Sequence, residues 1–181
     1  MFDIEIIKAY KPVNEQEESD KRLFLTLYDT YGDALFERHD VAHFTASCLI
    51  LNKEHTKILL EYHNIYQTWS WVGGHNDGEQ DFLALVIKEA KEETGLDVTP
   101  IFDYPIALDD LWVNGHIKRG KYVSTHLHLD MAYLVEAEEN AQLIEKEDEV
   151  SGLKWFTIEE FKQMNLDIMP VYLKMLERLE I

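Results

Sequence analysis

Apolar positions between residues 82 and 94 recur at helical spacing. Phe82, Leu83, Leu85, Val86 and Ala90 form one stripe, and Glu89, Glu92 and Glu93 occupy the other face. Asp81 stands at the N-cap position and Gly95 where a C′ glycine belongs, so the spacing predicts a helix between them. Two glycines, Gly73 and Gly74, and a polar turn lead into it.

Elsewhere the pattern is mostly that of strands. Residues 42–52 and 57–63 are rich in β-branched and apolar side chains and read as two strands joined by a turn at 52–56. Trp69 and Trp71 alternate with Ser70, which puts both rings on one side of a strand. Either they are core, or one of them, or Tyr66, stacks on a base. Residues 97–113 read as one or two strands interrupted by prolines. Residues 122–136 alternate, with His126, His128 and Asp130 on one face and Leu127, Leu129 and Met131 on the other. A charge-rich loop, 138–149, separates this strand from another at 152–157. Thr157-Ile158-Glu159-Glu160 is a capping box that opens a helix, and residues 166–181, with Pro170 near the first turn, form a terminal amphipathic helix.

Residues 1–40 form an extension ahead of the main domain, 41–181. Ile4, Ile6 and Ile7 suggest a short strand or helical turn that Pro12 ends. Residues 14–31 look helical: Leu23, Phe24, Leu27, Tyr28 and Tyr31 share a face, and Glu15, Glu17 and Glu18 fill the first turn, where the dipole favours acids. This helix either packs on the core, the expected outcome, or serves as a lid or dimer contact. Strands flanking a central helix, with more helices after them, indicate an α/β fold: an α/β/α sandwich around a mixed sheet.

Composition narrows the function classes. The 181 residues suffice for one well-packed domain. Thirty-five acids against 17 bases give a net charge of −18, which repels nucleic-acid backbones and anionic membranes. An anionic substrate would need divalent cations to approach. Cys48 is the only cysteine, which excludes an internal disulfide and fits a reducing cytoplasm. The N-terminal stretch does not resemble a signal peptide, and no segment approaches a membrane span.

Three groups of residues carry candidate chemistry. Glu89, Glu92 and Glu93 crowd together at i, i+3 and i+4, an arrangement that costs stability unless a cation sits among them. Oxygen ligands on one rigid face suit Mg²⁺ or Mn²⁺; a solvated acidic face is the alternative. Lys118, Arg119 and Lys121 surround Gly120 in the one clearly basic stretch, either a solvated turn or a clamp on phosphates. His126, His128 and Asp130 offer a transition-metal set, but a polar pocket face toward substrate is the preferred reading.

The run from Gly74 through Lys88, Glu89, Ala90, Glu92, Glu93 and Gly95 to Leu96 resembles the Nudix box, G-x5-E-x7-R-E-U-x-E-E-x-G-U, with U an aliphatic residue. Two positions depart from it. Gln80 stands at the first Glu of the box, with Glu79 one place earlier, so Glu79 or Asp77 is the stand-in; and Lys88 replaces the Arg. The GGH-x-DG opening resembles a bacterial subgroup of Nudix hydrolases. The resemblance covers about residues 42–162 and implies a Mg²⁺-dependent (or Mn²⁺-dependent) pyrophosphohydrolase. Its substrate would be a nucleoside diphosphate linked to another group: ADP-ribose, a nucleotide sugar, a modified triphosphate or a dinucleotide. By motif position Glu89, Glu92 and Glu93 are the metal ligands, and Lys88 and Gly95 are structural. Glu92, Glu93 and, outside the box, Glu149 are the catalytic candidates, with Glu147 as a second external base. Gly73, Gly74, His75, Arg119, Lys121, His126 and His128 are the expected substrate contacts. The chain would act on a small molecule as monomer or homodimer, with no nucleic-acid or membrane partner. Two other classes stay open: a non-catalytic nucleotide-sensing module, and an enzyme like isopentenyl diphosphate isomerase. The latter needs a reactive cysteine, and Cys48 falls inside a core strand.

Overall fold

A computed structural model of the chain describes residues 4–64, 67–118, 120–146 and 150–180. Two helices, α1 (Glu5–Ala9) and α2 (Glu15–Tyr31), and a 3-10 turn (Gly32–Phe36) come first. The strands β1 (Ala42–Asn52), β2 (Lys57–His63), β3 (Thr68–Ser70) and β4 (Val72–His75) lead into helix α3 (Phe82–Thr94). Then come β5 (Thr99–Pro100), β6 (Ala107–Val113), β7 (His116–Lys118), β8 (Lys121–Val123), β9 (His126–Ala137) and β10 (Val150–Thr157). Helices α4 (Ile158–Lys162) and α5 (Met169–Glu177) follow.

One eight-stranded mixed sheet is built on the order β10-β2-β1-β9-β5, with β3 on β2, β4 on β1 and β6 on β9. Its centre is the parallel pair β1–β9, in register from Ala42 opposite Leu127 to Asn52 opposite Ala137. The other pairings are antiparallel. Along its opposite edge β1 is shared: β2 takes Ile50 and Leu51, while β4 takes Thr45 to Cys48.

Each face of the sheet carries its own core. Phe44, Ala46, Cys48 and Ile50 of β1 and Leu129, Met131, Tyr133 and Val135 of β9 pack with Ile7, Phe24 and the α3 residues Phe82, Leu85, Val86 and Ala90. The N-terminal extension therefore contributes side chains to this core, and Ile4, Ile6 and Ile7 belong to a helical turn and not a strand. On the other face Leu49, Leu51, Ala132 and Leu134 pack with Phe161, Tyr172, Met175 and Leu176. The alternation of each strand sorts its side chains between the two layers. The result is the α/β/α sandwich expected from the pattern.

The helix ends follow local chemistry. The Asp81 carboxylate accepts from the Ala84 amide, and Gly95 takes a left-handed conformation at φ 77°. Thr157 and Glu160 form the reciprocal capping box. Two expectations change. The stretch 122–136 is not one strand: β8 ends at Val123 and β9 starts at His126. The basic segment is a hairpin, β7–β8, that pairs Lys118 with Lys121 around Gly120 at φ 77°.

Candidate functional site

Pairing of β4 with β1 decides where the glycine loop points. Gly74 lies opposite Ala46, on the face that α3 covers, and Gly73 and His75 lie opposite Ser47 and Thr45, on the other face. A Cβ on Gly74 would come within 2.7 Å of Cδ of Glu89, so the absent side chain is what lets α3 lay Glu89 against the strand. A Cβ on Gly73 would meet Ser47 Oγ at 2.5 Å and the Ala46 carbonyl at 2.6 Å. The two glycines serve packing on opposite faces.

Beneath Gly74 the acids gather. Glu93 is buried and Glu89 half-buried, one helical turn apart on the inner side of α3. Glu61 of β2 joins them. It follows Leu59 by two residues, faces the same core, and is only 2% exposed. Burial, the charges of Glu61 and Glu89, and a hydrogen bond with Glu61 push the Glu93 carboxyl far above the usual carboxylate range. Lys146 opposes this. Oε2 of Glu93 is buried with no hydrogen-bond partner among the described residues. Such an arrangement suits a hard divalent cation, which would favour the ionised carboxylates and satisfy the orphaned oxygen.

Glu92 points outward: it is exposed and pairs with Lys88 at 3.8 Å across one turn. Asp77, a stand-in candidate for the missing box Glu, is held instead by Arg38 in a two-pronged contact at 2.7 Å on each prong. Glu79 accepts from the amides of Gln80 and Asp81 and so shapes the turn before α3. A shallow cleft lined by Lys88, Lys91, Leu96 and Val98 runs along the outer side of α3; none of the gathered acids lines it.

The other face of the sheet changes character along its strands. On β1 the side chains run His43, Thr45, Ser47 and then Leu49 and Leu51; on β9 they run His126, His128, Asp130 and then Ala132 and Leu134. The apolar half lies under α4 and α5, and the polar half forms a recess with His75. Asp130 accepts from Thr45 Oγ1 at 2.6 Å and Ser47 Oγ at 2.8 Å. Burial outweighs those hydroxyls and pushes its carboxyl up to about 7. Lys118 of the basic hairpin is close enough to depress His75 and Asp77 electrostatically, so the hairpin borders this recess.

Of the expected substrate contacts, the fold brings His75, His126 and His128 into one recess and adds His43, which β1 supplies from the register position beside His128. Motif spacing does not reveal His43 or Glu61; for Glu61 the one available signal is an acid sharing the inward face of an apolar strand with Leu59. Trp69 is half-buried against Tyr62 and Phe156, and Trp71 is buried against Tyr172, so both rings serve packing. Tyr66, Arg119, Glu147 and Glu149 lie outside the described residues. Among the described residues no helix is long and apolar enough to cross a membrane.

Residues 41–179 match the family model described as NUDIX domain. Among solved structures, a crystal structure of a hydrolase of the NUDIX family from Clostridium perfringens is similar, with a TM-score of 0.58 and 24% identity over 76% of this chain and 97% of that one. A C. elegans Ap4A hydrolase binary complex is similar with a TM-score of 0.54 and 18% identity, over 75% of this chain and 96% of that one. At these identities the two structures speak for the fold alone. No curated protein sequence matches the chain.

Proposed function

We propose that this chain, which belongs to the Nudix family, is a divalent-cation-dependent hydrolase that cleaves the pyrophosphate linkage of a nucleoside diphosphate joined to another group. The observation that carries this reading is the gathering of Glu61, Glu89 and Glu93 beneath Gly74, with a buried oxygen of Glu93 left without a hydrogen-bond partner among the described residues. Glu89 and Glu93, with Glu92 at the outer edge, would hold Mg²⁺ or Mn²⁺, and Glu61 is added to that set. Such an ion supplies neutralisation of the phosphate oxygens and activation of a water for in-line attack on phosphorus.

The protein's own groups do the rest. Glu93 must release the proton that its burial favours before it can ligate. Glu92, exposed and steadied by Lys88, can accept the proton of the attacking water, as can Glu149 from outside the box. The new bond forms between water oxygen and phosphorus, and the bridging P–O bond breaks. Lys121 of the basic hairpin and, from the same basic stretch of sequence, Arg119 would contact substrate phosphates, and His75, His126 and His128 line the recess that the hairpin borders.

An isomerase reading is disfavoured by Cys48. It is buried at 1% exposure in the core, and burial together with Glu93 and Glu61 pushes its thiol well up, away from the reactive thiolate. A purely sensing module would have no need for three gathered acids. Candidate substrates are ADP-ribose, nucleotide sugars, modified triphosphates and dinucleoside polyphosphates such as the one named for the C. elegans neighbour. Phosphate release in a phosphatase-coupled assay over such a panel tests the reading. Release that requires Mg²⁺ or Mn²⁺ and disappears in Glu93→Gln is expected; no turnover of any member with either ion would overturn it.

A further inference from the structure

Four histidines meet in the polar recess, on the sheet face opposite the acids. One ring nitrogen from each of His43, His75 and His128 lies within 4.8 Å of the others. Their ring centroids form a near-equilateral triangle: His43–His75 5.0 Å, His43–His128 4.9 Å and His75–His128 4.9 Å. His126 closes one side, 4.8 Å from His43 and 5.2 Å from His128. Three adjacent strands supply them. The parallel register sets His43 beside His128, and β4 sets His75 beside Thr45, the next residue of β1 on the same face.

Two of the rings, His43 and His126, carry the backbone hydrogen bond that a metal-ligating histidine makes through its other nitrogen. Nδ1 of His43 bonds the His39 carbonyl at 3.0 Å, an arrangement that puts the proton on Nδ1 and leaves Nε2 as a lone pair. That Nε2 is buried, in a side chain of a residue only 5% exposed, and has no hydrogen-bond partner among the described residues. Nε2 of His128 is buried in the same condition. His126 repeats the device, its Nδ1 on the Ser124 carbonyl at 2.7 Å. Orphaned polar atoms in this number are costly to a fold, and hydrogen bonding within the described structure offers no remedy. Burial, then neighbouring charges, lowers His75 to about 3 and His128 to about 2, so both rings are neutral near pH 7, the form that ligates. Among the described residues, two cations border the recess. Arg38 is offset by Asp77, and Lys118 stands on the hairpin.

We propose that His43, His75 and His128 bind one divalent transition-metal ion of the zinc class, with His126 or a water in the fourth position. All-imidazole donors favour such an ion over Mg²⁺, which prefers the oxygen ligands of the opposite face. The nitrogens would close to about 3.3 Å from one another around a tetrahedral ion. This site is separate from the acid cluster and does not depend on the proposed hydrolysis.

The test uses untagged, chelator-treated full-length protein titrated with Zn²⁺ in excess Mg²⁺, followed by calorimetry and by X-ray absorption at the zinc edge. One zinc per chain, with a shell dominated by imidazole nitrogen, is expected. His43→Gln and His128→Gln should each weaken binding at least tenfold, whereas Glu93→Gln should leave it unchanged. No stoichiometric binding, an oxygen-dominated shell, or zinc lost in Glu93→Gln and kept in His128→Gln would overturn the proposal. If a histidine variant does not fold, the absorption spectrum of the unaltered protein decides. Zinc binding by an unaltered protein that turns over no member of the substrate panel would sink the enzymatic reading and leave this one standing.

Discussion

Gly74 and Glu89 touch backbone to side chain: a Cβ at Gly74 would lie 2.7 Å from Cδ of Glu89 and 2.9 Å from its Oε1. No other residue type leaves room for the glutamate where it now lies. The obstructing atoms are the end of a flexible side chain, so Gly74→Ala should move Glu89 and spare the fold. The expected result is a loss of roughly tenfold or more in kcat, a higher Mg²⁺ requirement, and a stability change of about 1 kcal/mol or less. Gly73→Ala, which meets the Ala46 carbonyl, should instead cost about 1–3 kcal/mol through overpacking. Metal-dependence curves and denaturant melts on the pair separate the two effects.

Glu93→Gln should have opposite effects with and without metal. The folded-state pKa of Glu93 is raised above the 4.5 of an ordinary glutamate, so the folded protein holds a proton that the unfolded chain gives up. Stability contributed by that proton is present at low pH and declines as pH rises above about 4.5. In chelator at pH 7 the Gln variant, which never ionises, should therefore be more stable than the parent by on the order of 1–3 kcal/mol. In millimolar Mg²⁺ the parent should gain stability by mass action and the variant should not. Melting scans under both conditions check this; a variant less stable in chelator would contradict it.

Arg119→Ala should raise KM about ten- to a hundredfold and leave kcat nearly unchanged, because a phosphate contact made equally in ground and transition states is uniform binding. Steady-state kinetics on whichever substrate is turned over tests it. An unchanged KM would return the hairpin to the role of a solvated turn.

Lys174 anchors the extension to the C-terminal helix. Its Nζ lies 3.0 Å from Glu17 and 2.7 Å from Asp109, with 8% of the side chain exposed. Lys174→Met would leave two buried acids without this cation. The expected cost is about 3–5 kcal/mol by chemical denaturation. Part of it should be recovered in Lys174→Met combined with Asp109→Asn, a non-additivity that a mere packing defect would not produce.

Sequence alone determined the local structure and the family. The α3 stripe, its Asp81 and Gly95 ends, the Thr157 capping box and the acids at i, i+3 and i+4 are all encoded within a few residues of one another. That is why helix periodicity and a contiguous motif expose them. Tertiary structure alone decided that Glu61 completes the acid cluster, that Glu92 faces solvent while Glu93 is buried, and that Gly74 and His75 serve opposite faces of one sheet. It alone brought His43 to His128 across 85 positions of sequence, through the parallel pairing of β1 with β9. Strand register is a long-range property: a shift of one residue would turn every one of these side chains to the other face, and nothing in a strand's own alternation says which neighbour it will meet.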